Sequence, residues 1–215
     1  MAAEAATRAA LAGLPVNLLV RGRKVVVVGA GRIAARKIEP LLDLGADVVV
    51  VAPGVSAEVR AWADAGRCSL VERAFEPGDL DGAWLALTAT DVPAVNAAVH
   101  EAGEAARVWV NSADDPANCS WTMLSVIRQA DLVVAIGTGG RSPALAAHLR
   151  RRFTDELGPE YGVLLDLLSE AREAMRASGR SSEDADWQRA FDSGIVDLVR
   201  AGRVADAKEL LNSCL

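Results

Sequence analysis

Aromatic side chains are scarce in this 215-residue chain: five Trp, three Phe and one Tyr make up 4% of it. A core cannot then be built around large rings, although 51% of the residues are apolar. Alanine, with 41 residues, and branched aliphatics must fill it instead, so the interior is finely grained. Cysteine is equally sparse. Cys68, Cys119 and Cys214 are odd in number and widely spaced, which excludes a disulfide framework and a zinc pattern and points to a reducing, cytoplasmic setting. No run of about 18 apolar residues exists, which excludes a hydrophobic membrane span. The first fourteen residues carry Glu4 and Arg8 and no continuous apolar stretch, unlike a secretory signal, and residues 1–13 are expected to be flexible. A basic excess is missing too. With 23 basic and 29 acidic residues the net charge is −6, which argues against a sequence-independent nucleic-acid binder.

The charge is unevenly spread. Residues 1–154 hold 16 basic and 16 acidic residues, and residues 155–215 hold 7 and 13. Between Asp131 and Asp155 there is no acid, yet Arg141, Arg150, Arg151, Arg152 and His148 lie there. Such a patch suits an anionic ligand, and it equally suits a solvated basic helix face.

The length allows one to two domains at about 150 residues each. Lys24 to Val28 is a β-branched run ending in glycine and reads as a buried strand. Helical spacing follows over 32–44, closed by Gly45, with Pro40 inside it expected to cause a kink. A second strand runs from Asp47 to Ala52, and Ser56 can cap a helix over 57–65. Strands are expected at Ser69–Phe75 and Ala83–Thr88, then a helix from a cap at Asp91 to Ala106, then a strand at Arg107–Val110. The order βαβαββαβ predicts a doubly wound, Rossmann-like parallel sheet. Beyond Asn111 come an extended stretch at Trp121–Val126, a strand at Leu132–Ile136 and a helix capped by Ser142 and Pro143 that runs to Leu157. Helices over 160–177, 183–201 and 203–213 complete the chain.

Gly29-Ala30-Gly31-Arg32-Ile33-Ala34 is a G-x-G-x-x-A turn between strand and helix. Gly29 permits the tight turn and Gly31 lets backbone approach a pyrophosphate. Ala34 keeps helix and strand close, and the helix N-terminus favours an anion. Dinucleotide binding is the expectation. The acid that ordinarily ends the second strand and holds the adenosine ribose is absent, because Ala52-Pro53 stands there. No Arg immediately follows, so the motif leaves NAD and NADP open. Thr88, Thr90 and Asp91 end the fourth strand on the same carboxyl edge and, with Ala52 and Pro53, are expected to line the cofactor. After the fifth strand, Asn111-Ser-Ala-Asp114-Asp115-Pro116 leaves that edge. Either carboxylate could be a general base, or both could serve the turn. The histidines are only His100 and His148, and there is no Cys-x-x-Cys. The lone Tyr161 has no Lys four residues on, so the Tyr-x-x-x-Lys dehydrogenase pattern is absent.

These residues together resemble the precorrin-2 dehydrogenase/sirohydrochlorin ferrochelatase family, including the N-terminal half of siroheme synthases. The elements are Leu14-Pro15 with Leu18-Leu19, Val28-Gly-Ala-Gly31 with Ala35-Arg-Lys37, Ala52-Pro53, Ala89-Thr90-Asp91 with Asn96, Asn111 to Pro116, and Gly139-Gly-Arg-Ser-Pro143. The resemblance implies NAD-dependent oxidation of precorrin-2 to sirohydrochlorin, on the way to siroheme or cobalamin. It implies Asp114 as the essential carboxylate and NAD as cofactor despite the missing acid. It implies a homodimer: a cofactor domain over 1–116, a small α/β dimerisation segment over 117–157 and a helical domain over 158–215. Asn111, Asp115, Thr138, Gly139, Gly140, Arg141 and Ser142 are the expected substrate contacts, with Arg150–Arg152 near them for the substrate's carboxylates. Insertion of Fe²⁺ or Co²⁺ stays open as a second activity, with Asp114 or His148 as candidate metal contacts. A non-catalytic NAD-sensing module is the alternative from another class. It ordinarily carries the second-strand acid and lacks the elements at 111–116 and 139–143.

Overall fold

The computed structural model describes residues 13–183 and 185–215. The expectations for the first twelve residues lie outside them. The chain divides into two units, one ending at Met123 and the other running from Leu124 to Leu215.

The first unit contains β1 (Lys24–Val28), α1 (Arg32–Asp43), β2 (Asp47–Val51), α2 (Ala57–Asp64), β3 (Ser69–Val71), β4 (Leu85–Thr88), α3 (Pro93–Ala106) and β5 (Trp109–Ser112). The five strands form one parallel sheet in the order β3-β2-β1-β4-β5. This is the doubly wound arrangement expected from the element order. The valines of β1 show why. Val25 and Val27 join a core with Ala34, Ile38 and Val59 from α1 and α2. Val26 and Val28 join a second core with Val99 of α3 and Val110 of β5. Both faces of the strand are covered, so its apolar run is continuous instead of alternating. Gly103 lets α3 approach this second face, since a Cβ there would fall 2.3 Å from Val110 Cγ2.

Several boundaries differ from the sequence expectation. β3 stops at Val71, because Arg73 turns to pair with Asp79 and Pro77–Leu80 forms a 3₁₀ turn. Asp91 does not cap α3. Val92 is the N-cap, Pro93 opens the helix, and the Thr90 hydroxyl accepts from Val92 N at 3.3 Å. β5 begins two residues late because Arg107 adopts the left-handed conformation (φ 58°) that ends α3. α1 continues through Pro40 as one element, and Leu44 N still donates to Pro40 O at 3.1 Å.

The second unit opens with an antiparallel hairpin of β6 (Ser125–Gln129) and β7 (Leu132–Ile136). The expected extended stretch thus lies four residues later. Next come α4 (Pro143–Glu156), α5 (Glu160–Ala177), α6 (Trp187–Asp192), α7 (Ile195–Arg200) and α8 (Val204–Cys214). The single helix expected over 183–201 is broken at Ser193-Gly194. Leu164, Leu167, Ala190, Ile195, Val199, Ala207 and Leu211 form the core of these last four helices. α4 contributes no buried residue. No described helix is long and apolar enough to cross a membrane.

Candidate active site

The β1–α1 turn is built as a cradle. Gly29 has φ 109°, and a Cβ there would lie 2.7 Å from Ala89 O, so only glycine fits. Ala30 and Ala34 are buried and seat the turn against the sheet. Gly31 is the N-cap of α1, in extended conformation, with no side-chain cap and no acid in the first turn. A Cβ at Gly31 would meet nothing within 4 Å. Open space therefore lies before an uncapped helix N-terminus, next to the exposed Arg32 and Ile33. This is the environment a pyrophosphate needs. Ala52 is buried at the end of β2, Pro53 is exposed, and neither has a side-chain group for a ribose hydroxyl.

The threonines after β4 differ in kind. Thr88 is fully buried and its hydroxyl shares a 2.7 Å bond with Ser112 Oγ. It joins the ends of β4 and β5 and has no open face for a ligand. Thr90 is half-buried, bonded to Asn96 Oδ1 at 3.0 Å, and Asp91 is exposed.

At the end of β5 the two adjacent carboxylates separate. Asp115 is half-buried and accepts from Asn118 Nδ2 at 2.7 Å, closing the turn. Asp114 is exposed, and among the described residues no side chain bonds to it. It sits at φ 56°, a conformation that Asp tolerates better than most residues. Cys119 holds the loop from inside: Ser112 N donates to its sulfur at 3.2 Å. Burial pushes the Cys119 thiol up, against the pull of that Ser112 hydrogen bond.

Asn111 is buried and its amide is used at both ends. Its Oδ1 accepts from Lys37 Nζ at 3.1 Å, and its Nδ2 donates to Trp121 O at 3.1 Å. Lys37 is the residue that the sequence did not single out as a site residue. It lies on α1, 74 positions before Asn111, and no local pattern shows where its ammonium goes. Burial pulls the Lys37 ammonium below its ordinary range, while the nearby Asp114 carboxylate and the Cys119 thiol oppose that shift.

In the second unit, Thr138-Gly139-Gly140-Arg141 forms a tight turn, with Arg141 N donating to Thr138 O at 3.2 Å. Both central glycines have φ near 60–70° (58° and 70°), as a type I′ turn requires. The Thr138 hydroxyl accepts from Ser142 N at 3.3 Å, and Ser142 Oγ caps α4 through Leu145 N at 3.1 Å. Arg141, Arg150, Arg151 and His148 are placed on the surface side of this segment, and Arg152 pairs with Glu156 at 3.1 Å. Among the described residues no group of three or more His, Cys, Asp or Glu side chains could hold a metal ion.

A family model described as NAD(P)-binding matches residues 16–125. The siroheme synthase of Nitrosococcus oceani is 31% identical over 204 residues, covering 94% of this chain and 44% of that protein. The siroheme synthase of Pseudomonas aeruginosa is 35% identical over 204 residues, with the same coverage of 94% and 44%. The chain thus spans less than half the length of these curated relatives. Among solved structures, SirC, a precorrin-2 dehydrogenase, superposes with a TM-score of 0.68 at 25% identity, covering 94% of this chain and 98% of that one. The cradle at Gly29–Gly31 and the family match agree, and the chain belongs to this NAD(P)-binding family.

Proposed function

We propose that this chain oxidises precorrin-2 to sirohydrochlorin with NAD, and that Asp114 is the proton acceptor. The observation that carries the reading is the exposed Asp114 carboxylate on the same sheet edge as the Gly29–Gly31 cradle. The likeness to SirC over almost the whole of both chains supports it. The cradle and the α1 N-terminus would hold the pyrophosphate of the dinucleotide. Bound nicotinamide supplies a hydride acceptor. The substrate loses a hydride and a proton, and Asp114 takes the proton, being the one of the two adjacent carboxylates without a side-chain partner among the described residues. Asp115 keeps the turn closed through Asn118. NAD is preferred to NADP on the family resemblance alone, because the residues after β2, with neither an acid nor an adjacent cation, leave the choice open.

Precorrin-2 is an octacarboxylate, and the Thr138–Ser142 turn with Arg141 suits such an anion. Replacing Arg141 by Ala is expected to raise KM for the tetrapyrrole several-fold more than KM for NAD. Equal effects on both would refute a substrate contact. A homodimer belongs to the same reading. It is supported by α4, which has no fully buried residue, and by Val126 and Val133, 41% and 40% exposed on the hairpin.

The deciding experiment is anaerobic incubation with precorrin-2 and NAD, recording the visible spectrum and NADH absorbance, followed by addition of Fe²⁺ or Co²⁺. Stoichiometric NADH and a sirohydrochlorin spectrum are expected. NAD binding without turnover would favour the sensing module instead. Metal insertion at the spontaneous rate would confine the activity to dehydrogenation.

A further inference from the structure

We infer that Lys37 is a binding residue for a carboxylate of the substrate, held ready for it by Asn111. This inference rests on the proposed dehydrogenase reading. An ammonium carries three donors. Lys37 uses one on Asn111 Oδ1 at 3.1 Å and one on the thioether of Met123 at 3.8 Å, a weak acceptor. The third has no partner among the described residues and is available to a ligand. Both partners are neutral, and among the described residues no carboxylate pairs with Lys37.

A half-buried cation without a paired anion is costly unless something completes it. Asp114 is near enough to act on the ammonium through its charge, yet it forms no hydrogen bond with it. Asn111 commits its oxygen to Lys37 and its amide hydrogens to Trp121 O and the Cys119 sulfur. Its effect is to fix the end of a long, flexible side chain. The lysine thus loses less freedom when an anion arrives. The direction of the side chain separates it from the cofactor cradle. Lys37 starts on α1, which follows β1, and its ammonium reaches β5, two strands away across β4 and on the Asp114 side. A carboxylate bound there would stand beside the proton acceptor, and the charge-assisted bond would form in a partly dehydrated place where it is strong.

The test compares Lys37→Met and Lys37→Arg with the wild-type protein in two assays. The first is equilibrium binding of uroporphyrin, an octacarboxylate tetrapyrrole that is not turned over, followed by its absorbance at two salt concentrations. The second is precorrin-2 oxidation. Lys37→Met is expected to weaken uroporphyrin about tenfold or more and to flatten the salt dependence, with Lys37→Arg recovering part of the loss. KM for precorrin-2 should rise by a similar factor, while the dissociation constant for NAD stays within about twofold. Unchanged uroporphyrin affinity in Lys37→Met, no uroporphyrin binding by the wild type, or an equal loss of NAD affinity each overturns the inference. Wild-type protein that binds uroporphyrin through Lys37 but leaves precorrin-2 unoxidised overturns the dehydrogenase reading alone.

Discussion

Replacing Asp114 by Asn is expected to lower kcat for precorrin-2 oxidation by about 10²–10⁴, the usual worth of a positioned general base. Asn is the informative substitution here. The backbone at this position has φ 56°, which Asn accepts as readily as Asp, so only the charge and the proton acceptor are lost. Alanine would add backbone strain and confuse the two effects. Asp115→Asn is the control. That carboxylate accepts from Asn118 within the turn, so its loss should cost stability more than turnover. Single-turnover NADH formation at saturating NAD reads the chemical step directly. The NAD dissociation constant of Asp114→Asn should match wild type. Turnover within about threefold of wild type would remove Asp114 from the chemistry.

The second large effect concerns the cradle. Gly29→Ala should destabilise the first unit by about 3 kcal/mol or more, combining left-handed backbone strain with a clash that neither partner can relieve. The obstacle is the carbonyl of Ala89, 2.7 Å from the new Cβ, and a backbone atom does not rotate away. At about 2–4 °C per kcal/mol, thermal unfolding of that unit should fall by about 6–12 °C. Gly31→Ala should behave oppositely. Its φ is −85° and a Cβ there meets no protein atom within 4 Å, so the fold should be unchanged. The methyl group would instead occupy room left for a dinucleotide, and NAD affinity should drop. Scanning calorimetry paired with NAD titration distinguishes the two. A Gly31→Ala variant that binds NAD normally would show that the cradle holds no pyrophosphate.

The parallel sheet was readable because its signals are local. Four consecutive valines ending in glycine declare a strand buried on both faces, and the helix after them declares itself by spacing. Local pattern misleads where a distant or neighbouring residue decides. The last residues expected in β3 are drawn away by the Arg73–Asp79 pair, and the start of β5 is delayed by the left-handed Arg107. The long C-terminal helix breaks because Gly194 adopts φ 84° after Ser193. Within the site, the glycines and the paired aspartates are legible as a pattern, but their division of labour is not. Asp115 is set apart from Asp114 by its bond to Asn118 and by its burial, and Asn111 becomes a bracket through Lys37. Those are contacts made by folding, and residue type alone does not encode them.

The buried Thr88–Ser112 bond has a consequence for how such sequences drift. Exchanging either residue alone for an apolar one strands the other hydroxyl in the core, at about 1–3 kcal/mol. Exchanging both can be nearly neutral, since the pair is then replaced by ordinary packing. Relatives should therefore carry a hydroxyl at both positions or at neither, and an aligned set of sequences rich in half-changed pairs would contradict this. Two residues 24 positions apart thus share one evolutionary fate, and the loop bearing Asp114 inherits its footing from their joint persistence.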